Sequence, residues 1–86
     1  LNSFILTFNT SHDAMREEES LLAEGYKLKM IPTPRGISSE CGFSIKIDSP
    51  ELNITEILTN RDNSIERIYL TYLKNRRKEY EEIYRR

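Results

Sequence analysis

Cysteine is almost absent from this chain. Cys41 is the single one among 86 residues, so no disulfide can form within the chain and a reducing, cytoplasmic setting is expected. Histidine is as scarce, with His12 alone. One His and one Cys do not make a transition-metal ligand set, and neither metal nor a dissociable cofactor is expected. No run of about 18 apolar residues occurs, which excludes a membrane-spanning helix. The apolar opening from Phe4 to Phe8 is too short for a secretory leader and lacks a basic start. The chain opens on Leu1 rather than Met, which leaves room for a few native residues ahead of it. Length is short as well. A chain of this size makes one domain and has little apolar surface to spare for a deep cleft. A self-contained enzyme with an elaborate active site is disfavoured.

The composition is 37% hydrophobic and 31% charged, with a formal net charge of −1, which suits an ordinary soluble domain. The charge is unevenly spread, because residues 72–86 hold six basic and three acidic side chains. Phe4, Leu6 and Phe8 alternate with Ile5 and Thr7, the period of a strand. Thr10 or Ser11 then offers a helix N-cap, and Asp13 places acidic charge in the first turn. Ala14, Met15, Leu21 and Leu22 form the apolar stripe of that helix, which Gly25 ends. Tyr26, Leu28 and Met30 alternate up to Pro32, and Phe43, Ile45 and Ile47 alternate in turn, giving two more strands. Ser49-Pro50-Glu51 reads as the start of a second helix with Ile54, Ile57 and Leu58 on its apolar face, closing near Asn60. Ile65 to Leu70 is ambiguous between strand and helix and is taken as a strand. Arg76 to Arg86 are strong helix formers and are taken as a helix. The expected fold class is therefore α+β, a ferredoxin-like β-α-β-β-α-β sandwich with an extra C-terminal helix. Residues 1–71 make the domain and residues 72–86 a charged helical extension.

The chemistry concentrates in the connection between the second and third strands, the loop 32–42. It is longer than a hairpin connection needs. Pro32 and Pro34 restrict its backbone, while Gly36 and Gly42 permit close approach. It carries Arg35, Ser38, Ser39 and the lone thiol of Cys41. A thiolate is the reactive form of cysteine, and a neighbouring cation or helix N-terminus favours it. Arg35 supplies a permanent forked charge, and Ser38, Ser39 and the N–H of Gly42 can donate to a bound anion. If the helix start lies at the same end of the sheet as this loop, Thr10, Ser11 and His12 join the site.

The pattern Thr10-Ser11-His12-x-Ala14-Met15-x-x-Glu18-x-x-Leu21, then Gly25, then Ile31-Pro32-x-Pro34-Arg35-x-Ile37-Ser38-Ser39-x-Cys41-Gly42 resembles the putative selenium/sulfur carrier protein-like family over roughly residues 3–70. The resemblance implies a thiol, Cys41, that carries sulfur or selenium covalently as a persulfide or selenosulfide. It also implies donor and acceptor enzymes of sulfur or selenium metabolism as partners. The tail beyond Tyr72 exceeds the family pattern.

Each candidate also has a structural explanation. Cys41 can serve as a small buried hydrophobe. Arg35 can pin the loop to a carbonyl or to Glu40, and His12 can be a surface residue of the capping region. Glu18 is read on the core rim, where a buried charge needs a partner such as Arg35. Tyr among the basic residues of the tail suggests nucleic acid, but Glu79, Glu81 and Glu82 dilute the field and argue against it. A homodimer through the C-terminal helix fits that tail better. Against the carrier stands another class of function: a ferredoxin-like regulatory or interaction module whose loop 32–42 binds an anionic ligand or a partner. A third reading is a redox sensor that joins two copies through Cys41.

Overall fold

The computed structural model describes residues 3–48, Ile57 and residues 64–86. Five antiparallel strands form one sheet in the order β2-β3-β1-β4-β5. They are β1 (Ser3–Thr7), β2 (Leu28–Pro32), β3 (Phe43–Ile47), β4 (Arg67–Lys74) and β5 (Arg77–Arg85), accompanied among the described residues by the helix α1 (Ser11–Ala23). Thr10 caps α1, its Oγ1 accepting from Asp13 N at 3.1 Å. Gly25, at φ +94°, follows the helix end where only glycine is unstrained.

Alternation along the strands divides the sheet into two faces. Leu6, Phe8, Ile45, Ile47 and Ile68 point to the helix side, where they pack with Ala14 and Leu21 of α1 and with Ile57 and Ile65. Ile5 and Tyr69 point the other way and pack with Ile37 of the loop 33–42, with Ile31 and Tyr80 alongside.

This architecture corrects the expected fold class. A five-stranded antiparallel sheet with one described helix takes the place of a ferredoxin-like β-α-β-β-α-β sandwich with an extra C-terminal helix. The tail taken as helix is β5, hairpinned onto β4 from Arg67↔Arg85 to Lys74↔Arg77. Asn75 (φ 53°) and Arg76 (φ 65°) make the turn. Two successive positive φ values match a two-residue hairpin to the twist of its strands. β4 runs through the boundary placed between residues 71 and 72. It sits between β1 and β5 and uses both faces, so apolar residues occur at adjacent positions, Ile68 and Tyr69, and blur a period of two. β5 is an edge strand rich in charge, a composition that discourages pairing with other chains. The C-terminal helix expected to carry a homodimer contact is a strand, so the tail presents a strand edge rather than a helical face.

The second helix expected from Ser49 to Asn60 lies outside the described residues apart from Ile57, which is helical and 1% exposed. The buried stripe of α1 keeps Ala14 and Leu21 of the expected one and takes Glu17 in place of Met15 and Leu22. Ala14, Glu17 and Leu21 are its buried positions, while Met15 and Leu22 are 64% and 52% exposed.

Candidate functional site

The strand register places the end of β1, the start of β3 and the start of β4 at one end of the sheet. The loop 33–42 crosses that same end, so it meets the N-terminus of α1. Its base is closed by Thr33 N donating to Gly42 O at 2.9 Å. Thr33 Oγ1 donates to Cys41 O at 3.0 Å and lies 2.8 Å from Ser44 Oγ. A turn follows in which Ile37 N donates to Pro34 O at 3.0 Å.

The loop is held on both faces of the sheet. On the open face Ile37 is buried with Ile5 and Tyr69. Gly36 lies beneath the Tyr80 ring so closely that a Cβ there would stand 2.8 Å from Tyr80 Cδ2. Arg67 Nη1 donates to Ser38 O at 3.3 Å. Arg67 is itself 3.7 Å from the Glu82 carboxylate, which Arg85 binds through two nitrogens at 3.1 and 2.9 Å. The Arg85 hydrogen bonds hold the Glu82 carboxyl below the usual carboxylate range, with the charge of Arg67 acting in the same direction. At the sheet end, Ser39 Oγ donates to Phe8 O at 3.2 Å and accepts from Cys41 N at 3.3 Å.

Cys41 therefore arrives on the helix side in a fixed position, 4% exposed and part of the main core. Its Sγ accepts from Phe43 N at 3.4 Å and lies 3.9 Å from Ser11 Oγ, in the first turn of α1. A backbone N–H and a hydroxyl thus meet that sulfur at the start of α1.

Beside it, Ser11, Ala14, Met15, Glu18, Met30 and Phe43 line a cavity of about 230 Å³. Met15 and Phe43 are largely exposed there, at 64% and 50%. The thiol is thus separated from an apolar, thioether-lined surface by its neighbours Ser11 and Phe43.

Of the residues expected to act together, the structure joins Ser11, Ser39 and Cys41, with Thr10 as the helix cap and Gly42 closing the loop. Glu18 sits half-buried on the cavity wall. Arg35, Ser38 and His12 are exposed. The Arg35 side chain makes no hydrogen bond or ion pair with any described residue, so the expected Glu18–Arg35 and Arg35–Glu40 contacts are not formed. Ser38 contributes its carbonyl rather than its hydroxyl.

Three residues escaped the sequence reading. Glu17, 3% exposed, accepts from Ser64 N at 2.9 Å and from Ser64 Oγ at 3.3 Å, tying α1 to the approach to β4. Its signal was available: positions 14, 17 and 21 share one helical face. Thr33 is a hydroxyl between two prolines, with no pattern to mark it. Tyr80 could be found only once the tail was known to be a strand.

Among the described residues no group of three or more His, Cys, Asp or Glu side chains is placed to hold a metal ion. No helix among them is long and apolar enough to cross a membrane. Residues 3–70 match the putative Se/S carrier protein-like family, a span that includes Cys41 and its whole loop but ends inside β4. No curated protein and no solved structure matches the chain.

Proposed function

Because the chain belongs to the putative Se/S carrier protein-like family, we propose that Cys41 is a carrier thiol that accepts and passes on a sulfur or selenium atom. The observation that carries this reading is the position of Cys41 Sγ, 3.4 Å from Phe43 N and 3.9 Å from Ser11 Oγ at the start of α1. In the loading step the Cys41 thiolate attacks the outer sulfur of a donor enzyme's persulfide. The new S–S bond forms on Cys41 as the donor's S–S bond breaks, and the donor cysteine leaves as a thiolate. In delivery an acceptor nucleophile attacks that outer atom and Cys41 departs as the thiolate. A selenosulfide follows the same course with selenium outermost. No net oxidation occurs in either step, and the protein is a carrier between enzymes rather than a turnover enzyme.

The environment of Cys41 serves both steps. The Phe43 N–H and the Ser11 hydroxyl are placed to hydrogen-bond the sulfur as it attacks and as it departs. The cavity walled by Met15, Met30 and Phe43 gives donor and acceptor an apolar surface next to the sulfur. Intact mass after incubation with a cysteine or selenocysteine desulfurase and its substrate tests the reading. A reducible gain of one sulfur or selenium atom, absent in Cys41→Ser, is expected; an unchanged mass contradicts it.

A second reading is favoured by one observation. Cys41 is buried while Arg35, Ser38 and His12 are exposed, as in an interaction module whose loop docks a partner or an anion and whose cysteine is structural. Cys41→Ser would then leave partner binding intact, whereas the carrier loses all transfer.

A further inference from the structure

The face of the sheet away from α1 holds a second cavity, of about 220 Å³, which the carrier reading does not use. Ile5, 2% exposed, is in its floor. Ile31 and Tyr80 pack beside Ile5, and Pro34 from the loop adds to the wall. Lys46 and Lys78 line the same cavity, with the hydroxyls of Ser3 and Thr71.

The charged side chains that line this cavity are both lysines. Lys46 is the direct cross-strand partner of Lys29, and like charges so placed repel. Among the described residues Asp48 alone pairs with Lys46, at 3.7 Å, and its side chain is 57% exposed. Asp48 also accepts from Ser3 Oγ. No described carboxylate pairs with Lys78. An apolar floor with surplus positive charge at its walls is complementary to an anion that has a hydrophobic body. The volume is below the roughly 300 Å³ at which drug-sized sites begin, so the fitting ligand is small.

We propose that this open-face cavity binds a small organic carboxylate, its body lying over Ile5 and Tyr80 and its charge held by Lys46 and Lys78. The site is separate from Cys41, and its occupancy does not depend on sulfur or selenium transfer. Titration of the ¹⁵N-labelled full chain with phenylacetate, against neutral phenylacetamide, tests it. Phenylacetate is expected to shift the amides of Ile5, Ile31, Thr71 and Tyr80 saturably at low-millimolar concentration, the range that about ten non-hydrogen atoms allow. Phenylacetamide should bind at least about threefold more weakly, and Lys46→Met or Lys78→Met should each weaken phenylacetate by about threefold. Absence of saturation, shifts confined to the helix-side residues Met30 and Phe43, or equal binding of acid and amide would overturn the proposal. The comparison of the two probes needs no variant, so a lysine substitution that disturbs folding leaves the test intact.

Discussion

On the helix side of the sheet, Leu6, Ile45, Ile47 and Ile68 are wholly buried among α1, Ile57 and Ile65. On the other side, Ile5 and Tyr69 are covered by Ile37 of a loop, with Ile31 and Tyr80 beside them. The first face is closed by regular structure and supplies most of the apolar burial that stabilises the fold. The second is closed by a connecting segment and one aromatic ring, and it keeps an open cavity between them. The loop that carries Cys41 is gripped by both. Its thiol end lies in the deep core, and its Gly36–Ser38 end lies under the thinner cover. That difference teaches where the loop can yield. Release from the open face breaks one small apolar cluster and one exposed hydrogen bond, whereas release from the helix face opens the main core. Tyr80, all of β5 and the second half of β4 lie past residue 70, outside the family match, whereas Arg67 and Tyr69, which also hold the loop, lie within it.

The largest effect is expected where the helix face is cut. Leu21→Ala, at a fully buried position, should cost about 2–5 kcal/mol in denaturant unfolding. Tyr80→Ala, on the half-buried open-face cover, should cost distinctly less. If the two losses are equal, the faces do not differ as described.

A smaller loss, about 1–3 kcal/mol, is expected for Gly36→Ala, because the new methyl must displace the Tyr80 ring. In a Tyr80→Ala background the same substitution should be nearly neutral. A double-mutant cycle showing additivity would remove Tyr80 from the loop's anchorage.

Arg76→Gly tests the hairpin that positions Tyr80. Arg76 has φ 65°, a conformation that costs a non-glycine residue about 1 kcal/mol. Replacement by glycine should therefore raise stability by an amount of that order in thermal or denaturant unfolding, and a loss would contradict the turn.

The smallest effect concerns pH. Glu82 has its folded pKa lowered by Arg85 and Arg67, so its contribution is fully present above the ordinary carboxylate range and is lost as pH falls through the lowered value. The acid side of the stability profile should flatten slightly in Glu82→Gln. An unchanged profile would show that this exposed ion group is without weight.

The residues reveal the first half of the molecule more readily than the second, for a physical reason. α1, β2 and β3 direct most of their larger apolar residues to the shared core, so their periods of 3.6 and two stand out between Thr10, Gly25 and Pro32, while β1, though buried on both faces, still ends clearly before Thr10. The ambiguity begins at β4, which is covered on both sides and therefore carries apolar residues in succession. It deepens at β5, where Arg77, Lys78, Glu79, Glu81 and Glu82 are intrinsic helix formers held in a strand by pairing with β4. Asn75-Arg76 lacks the glycine that usually marks such a turn. At the site, the meeting of Ser11, Ser39 and Cys41 follows from motif residues and a common sheet end. The absence of Arg35 from the thiol depends on loop course, which composition does not encode, whereas the burial of Glu17 was legible from the helical face it shares with Ala14 and Leu21.

The most direct test of a working thiol that is only 4% exposed is the rate of Cys41 alkylation in the native protein at neutral pH. If Cys41 is a carrier, it reacts through opening of the loop, faster than the whole protein unfolds, and faster still in Tyr80→Ala. Alkylation that proceeds no faster than global unfolding, unchanged by loss of Tyr80 beyond its effect on stability, would make Cys41 a structural residue and contradict the carrier account.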